Sequence, residues 1–165
     1  MGLKNSLLIE LEKETANTKR ILERLPAEHW AYKPHPKSTS LGELASHIVE
    51  LHNWVADALT KDTFDFKADY TPPTSTTPEQ LVAELDAGYE RNKRSIESSA
   101  EEDWQRQWTL RAGDFVIAQM PRAGAIRFII NSHLIHHRGQ LTVYLRLLEI
   151  PVPGLYGPSA DEKQG

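Results

Sequence analysis

The sequence predicts an all-α protein, a four-helix bundle with long connections. Three observations carry that reading. Apolar residues recur every three or four positions in four separate segments, proline-rich stretches divide those segments, and strand-like alternation is confined to one short region. The chain of 165 residues is one domain, 1–165, with about 158–165 expected to fray. A chain of this size buries roughly two thirds of its unfolded surface, enough for one core without covalent staples.

The first helix carries Leu8, Leu11, Thr15, Thr18, Leu22 and Leu25 on one stripe, and Pro26 ends it. Trp30 and Tyr32 in the following loop are expected to cap a bundle end. The second helix opens at Ser40, because Ser40-Leu41-Gly42-Glu43 has the spacing of a capping box. Its apolar face is Leu44, His47/Ile48, Leu51, Trp54/Val55 and Ala58. The linker from Lys61 to Thr76 ends in Pro72-Pro73-Thr74-Ser75-Thr76, which cannot be helical. Thr77 then caps a third helix, with Pro78 at its first position and Gln80 three residues after the cap. Leu81, Leu85, Tyr89 and Ile96 form its stripe to about Ser99. Trp108-Thr109-Leu110, Gly113 and Phe115-Val116-Ile117 suggest a short hairpin or extended connection. The last helix runs from about Arg122 to Glu149, with Ile126, Ile130, His133, His137, Leu141, Tyr144 and Leu148 on its apolar face.

Several function classes are disfavoured by composition. Lys plus Arg is 19 and Asp plus Glu is 23, giving a net charge of −4 and no electrostatic footprint for nucleic acid. No stretch reaches the ~18 apolar residues of a membrane span. Charges are mixed into Met1 to Glu14, so no signal peptide is expected there. With no cysteine, thiolate ligands, iron–sulfur clusters and cysteine nucleophiles are absent, and a cytoplasmic location is the default.

Five of the seven histidines invite attention, since His29 and His35 lie in the proline-rich loop, where solvent exposure is the ordinary outcome. His133 and His137 are one helical turn apart, about 6 Å at Cβ. On an apolar face without partners, each imidazole would cost roughly 1–3 kcal/mol in unsatisfied nitrogens. A divalent transition metal shared by both rings removes that cost. His47, on the buried side of the second helix, is the candidate third ligand. Three histidines with an open fourth position would be a catalytic rather than a closed structural arrangement. An H-x-x-x-H pair also arises by chance. His133 with His136 is an equally possible pair, and His52, on the flank with Leu41, Ala45 and Val55, could replace His47. Leu134 stands where a zincin needs Glu, and Ile130 stands where a di-iron bundle needs one.

His133-Leu-Ile-His-His137-Arg138-Gly139-Gln140 resembles the H-x-x-x-H-R-G-Q signature of the DinB/YfiT-like metalloenzyme family. Trp30-x-Tyr-Lys-Pro34, Ser40 to His47, and Pro153 to Ser159 resemble other segments of that family, so the likeness covers most of the chain. It departs at Thr39, where many members carry Trp. The resemblance implies up-down-down-up connectivity, usually a homodimer, and a metal (Zn, Ni, Fe or Mn) held by His47, His133 and His137. It also implies a thiol S-transferase using a low-molecular-weight thiol, acting on a small molecule without nucleic acid or membrane. A metal-dependent hydrolase and a non-catalytic, metal-stabilised dimeric module are the alternatives. Gly139 is expected to admit a neighbouring helix, Gln140 to orient a ligand ring or sit at the interface, and Arg138 to lie at the surface. No catalytic base is visible, since Glu43 and Glu50 read as cap and surface residues.

Overall fold

The structure, a computed structural model, describes residues 2–162. Its helices are α1 (Leu3–Leu22), α2 (Leu41–Thr60), α3 (Pro78–Ser98), the single turn α4 (Arg122–Gly124) and α5 (Ser132–Leu147). A π-helical stretch, Ala125–Asn131, joins α4 to α5, so the two form one long last helix. Three strands, β1 (Thr63–Asp65), β2 (Gln107–Ala112) and β3 (Phe115–Pro121), make a small sheet beside the bundle.

Side-chain bonds fix the direction of each helix. Lys4 donates to the Ser99 carbonyl at 2.9 Å and Lys19 to Asp86 at 2.7 Å, so α1 and α3 are antiparallel. Asn53 meets Glu84 at 3.3 Å and Asn92 accepts from the Ala56 amide at 3.0 Å, so α2 and α3 are parallel. Arg127 pairs with Glu10 at 2.7 Å and Arg138 donates to Thr18 at 3.0 Å, aligning the last helix with α1. The bundle is therefore up-down-down-up. Its core is aliphatic, built from Leu7, Leu11, Ile21 and Leu22 on α1, Ile48 and Leu51 on α2, Leu81 and Leu85 on α3, and Ile130, Leu141 and Leu145 on the last helix.

Most of the sequence-derived stripes are the buried ones, with local exceptions. Leu7 rather than Leu8 is fully covered on α1, and Gly88 and Asn92 take the inner face of α3 where Tyr89 was expected. The Thr77 hydroxyl caps α3 by accepting from the Gln80 amide at 3.3 Å. Gln80 itself accepts from the Thr76 amide at 2.8 Å, one residue before the cap, so no reciprocal box forms.

The hairpin at Trp108 to Ile117 is β2 and β3. Gly113 has φ +64°, the left-handed value required at the first position of a two-residue loop of this kind. β1 was not foreseen. It pairs parallel to β2, and Asp65 Oδ1 accepts from the Gly113 amide at 2.9 Å, pinning the turn. The tail expected to fray from about 158 is tied down as far as Glu162. Ser159 donates to the Val152 carbonyl, Asp161 pairs with Arg146 and Glu162 with Arg20. Residues 163–165 lie outside the described residues.

Candidate metal site

The site begins with the cap of α2. The Glu43 amide donates to Ser40 Oγ at 3.3 Å and the Ser40 amide to Glu43 Oε2 at 2.9 Å, so the capping box is complete. The two preceding orphan donors are also satisfied. The Leu41 amide donates to the Tyr32 carbonyl and the Gly42 amide to the Trp30 carbonyl, each at 2.9 Å. The aromatic loop thus straps the start of α2 and fixes its rotation. Two turns later His47 faces the last helix.

His133 and His137 project from that helix toward His47. One ring nitrogen from each of the three lies within 4.8 Å of the other two. Ring centroids are 5.2 Å apart for His47–His133, 5.1 Å for His47–His137 and 4.5 Å for His133–His137. The opposite nitrogen of two of these rings has an oxygen acceptor. His47 Nδ1 meets Glu50 Oε2 at 3.0 Å, and His137 Nδ1 meets Gln140 Oε1 at 2.7 Å. An oxygen acceptor draws the proton to its side of the ring, so the His47 and His137 imidazoles each present a lone pair to the common centre.

These lone pairs test whether the residues fit a metal. His133 Nε2 and His137 Nε2 are 2.8 Å apart. Between two neutral rings, either the Nε2–H tautomer of one donates to the other or a metal cation takes the proton's place. Partial burial, then the neighbouring His137, His47 and His136, pushes the His133 pKa down to about 4, and partial burial chiefly lowers that of His137 as well, so the rings are held neutral. Neutral imidazoles whose nitrogens converge in this way fit a divalent cation.

The surroundings differ from the sequence reading in three respects. His133 and His137 do not occupy the buried face of the last helix; Leu134 and Arg138 do, and the two histidines stand on the adjoining, solvent-open flank. The π-helical stretch accounts for this. Ile126, Ile130, Leu134 and Arg138 are each four residues apart, and at roughly 100° per residue an uninterrupted α-helix would carry Arg138 about 120° away from Ile126. The wider π turns remove part of that drift.

The second difference is Arg138, which is fully buried instead of lying at the surface. It donates to the Glu14 carbonyl and Thr18 Oγ1, each at 3.0 Å, and pairs with the Glu14 carboxylate and Tyr156. The third is Glu50, whose side chain is only 12% exposed and which holds His47. Its spacing of three from His47 was the available signal. Gln140 does hold the His137 ring, by the 2.7 Å contact to Nδ1. A Cβ at Gly139 would meet nothing within 4 Å, so no helix of this chain packs there.

The remaining histidines are elsewhere. His52 is buried, with Nε2 2.8 Å from Thr15 Oγ1. His136 is exposed beside His137 and outside the cluster, and His35 accepts from the Lys37 amide. Among the described residues, His47, His133 and His137 are the histidines whose ring nitrogens converge.

The DinB family model matches residues 1–164. The chain belongs to the DinB family. This DinB-family protein is 30% identical over 152 residues to the uncharacterized protein YrdA of Bacillus subtilis (strain 168), covering 92% of this chain and 86% of that one. Its fold is similar to a DinB-like protein from Bacillus subtilis, with a TM-score of 0.72 and 20% identity over 93% of this chain and 99% of that one. A DinB-like protein from Bacillus cereus gives a TM-score of 0.66 and 26% identity, covering 88% and 92% of the two chains. A DinB family member from Exiguobacterium sibiricum gives 0.66 and 22%, covering 92% and 95%. No described helix is long and apolar enough to cross a membrane.

Proposed function

We propose that this DinB-family protein is a metal-dependent enzyme in which His47, His133 and His137 hold a divalent transition metal. The observation that carries the reading is the convergence of one ring nitrogen from each of the three histidines, with the opposite nitrogens of His47 and His137 held by Glu50 and Gln140. Open solvent on the flank of His133 leaves room for a small ligand beside the three rings. A bound metal would supply Lewis acidity, lowering the pKa of a coordinated water or thiol toward neutrality.

The chain's own contribution is to hold the ligand rings unprotonated and aimed. Glu50 and Gln140 each fix one ring, so little reorganisation of His47 and His137 is needed on binding. The transferred group is most simply a thiolate from a low-molecular-weight thiol, because the protein has no cysteine of its own. Hydrolysis at the same centre is the second reading, since the same Lewis acidity activates a coordinated water. A cytoplasmic homodimer belongs to this proposal, and light scattering reads the dimer directly.

His133→Ala and His137→Ala should each abolish stoichiometric metal, measured by elemental analysis, while far-UV helicity stays near wild type because the aliphatic core is separate. Metal content unchanged in both variants would end the assignment. With metal established, turnover of the loaded protein across thiols and electrophiles separates the two chemistries. Hydrolysis of esters or amides without thiol-dependent turnover selects the hydrolase.

A further inference from the structure

A second concavity adjoins the histidine cluster through Glu50. It has a volume of about 230 Å³ and lies between α2, the loop after β1 and the start of α3. It is smaller than the ~300–1,000 Å³ of sites for drug-sized ligands, so it suits one functional group of a larger molecule.

Two properties of its wall point to the chemistry of that group. Part of the lining is aromatic, from Trp54, Phe64 and Tyr70, with the Trp54 and Phe64 centroids 4.7 Å apart. Part is anionic, with Glu50, Asp69 and Glu84 among the lining residues and no lysine or arginine there. Their contacts are neutral donors or the ligand histidine. Glu84 accepts from Asn53 and Ser75, Asp69 from the Asp65 amide, and Glu50 meets His47. Asp57, also on the rim, does have a cation, Lys61 at 3.5 Å, but that pair is solvent-exposed and weakly coupled. Burial, and then the Glu50 carboxylate, raise the pKa of the Tyr70 hydroxyl at the cavity edge.

We propose that this cavity binds the ammonium head of an organic cation, held among the Trp54 and Tyr70 rings and the Glu50, Asp69 and Glu84 carboxylates. A hydrated inorganic cation gains nothing from aromatic rings, whereas an alkylammonium gains from both the rings and the carboxylates. Glu50 joins the two places, because its carboxylate lines the cavity while Oε2 lies 3.0 Å from His47 Nδ1. The proposal rests on the metal-enzyme reading for its consequence: the substrate is a small molecule carrying an amine, whose reacting end extends toward His47 and its partners.

Choline is a suitable probe, and 3,3-dimethylbutan-1-ol is its uncharged counterpart of the same shape. Titration of the full chain, followed by tryptophan fluorescence and calorimetry, should give saturable one-to-one choline binding. The neutral analogue should bind at least tenfold more weakly. Tyr70→Ala, at a half-exposed position, should weaken choline at least fivefold with unchanged helicity, and raised salt should weaken it further. Equal affinity for both probes, no saturation with choline, or choline affinity untouched in Tyr70→Ala would each overturn the proposal. So would a response to Ca²⁺ with none to choline. His133→Ala separates the two readings. Choline binding retained with metal lost leaves the cavity assignment standing, whereas metal retained in wild type with no choline binding removes the cavity assignment alone.

Discussion

Glu50 and His52 lie two residues apart on one helix, yet the fold gives them opposite tasks. Glu50 holds His47 by a 3.0 Å contact at the open flank. Glu50→Gln keeps the shape but weakens the pull on the His47 Nδ1 proton. Metal affinity should fall roughly 10- to 100-fold, measured by chelator competition, with the thermal midpoint of the metal-free protein unchanged. His52 is enclosed between α1 and α3, where burial lowers its pKa from 6.5 to about 4 despite its Asn53 contact, and the charge of Arg91 lowers it further. The unfolded chain therefore takes up a proton on this residue at a higher pH than the folded one. The stability that neutral His52 permits is complete above about pH 6.5, declines as pH falls toward 4, and levels off below that, a change of about 3 kcal/mol. Urea unfolding of wild type and His52→Gln between pH 7 and pH 4 isolates this slope from that of the carboxylates. Parallel curves would show that His52 does not titrate as described.

At the scale of elements, the loop before α2 matters more than its irregular appearance suggests. Trp30 and Tyr32 supply the carbonyls that accept from the first α2 amides, and the Trp30 ring lies against Gly42. A Cβ at Gly42 would come 2.2 Å from Trp30 Nε1, so Gly42→Ala must displace a rigid indole. We expect a loss of about 1–3 kcal/mol in chemical denaturation, together with weaker metal binding, because the loop sets the rotation of α2. Loss of stability with metal affinity intact would uncouple the strap from the site. The capping spacing Ser40 to Glu43 was plain in the sequence, since it uses residues three apart. The carbonyl contacts from Tyr32 and Trp30 were not, because they depend on how an irregular loop folds back.

For the molecule as a whole, Arg138 joins three parts of the chain: α1 through Glu14 and Thr18, the last helix, and the C-terminal segment through Tyr156. Tyr156 donates to Glu14 Oε2 at 2.7 Å and its ring stacks under the guanidinium, 5.4 Å from centroid to Cζ. Burial and the Glu14 carboxylate push the Tyr156 pKa up to about 12, so the phenol remains a donor throughout the neutral range. Glu14→Ala leaves a fully buried guanidinium without its carboxylate, which typically costs about 3–5 kcal/mol. Limited proteolysis should then cut the segment after Ile150 first, because Tyr156 loses its acceptor as well. Equal protease resistance in the variant would mean that the segment is held elsewhere.

Local regularities, capable of being read along the chain, determined much of this protein. Apolar spacing marked four helices, Ser40 and Thr77 marked two starts, Gly113 sat at the hairpin turn, and the H-x-x-x-H-R-G-Q resemblance pointed to the three histidines that converge. Only the tertiary structure decided which nitrogens meet, because convergence depends on the packing of α2 against the last helix and on a π-helical stretch that changes the angle per residue. The same holds for β1, three residues whose pairing partner lies more than forty positions away, and for Arg138, whose burial is tolerable only because Glu14 and Tyr156 arrive from opposite ends of the chain. Spacing records what lies on one helix, whereas a site assembled between helices is fixed by how their side chains interlock.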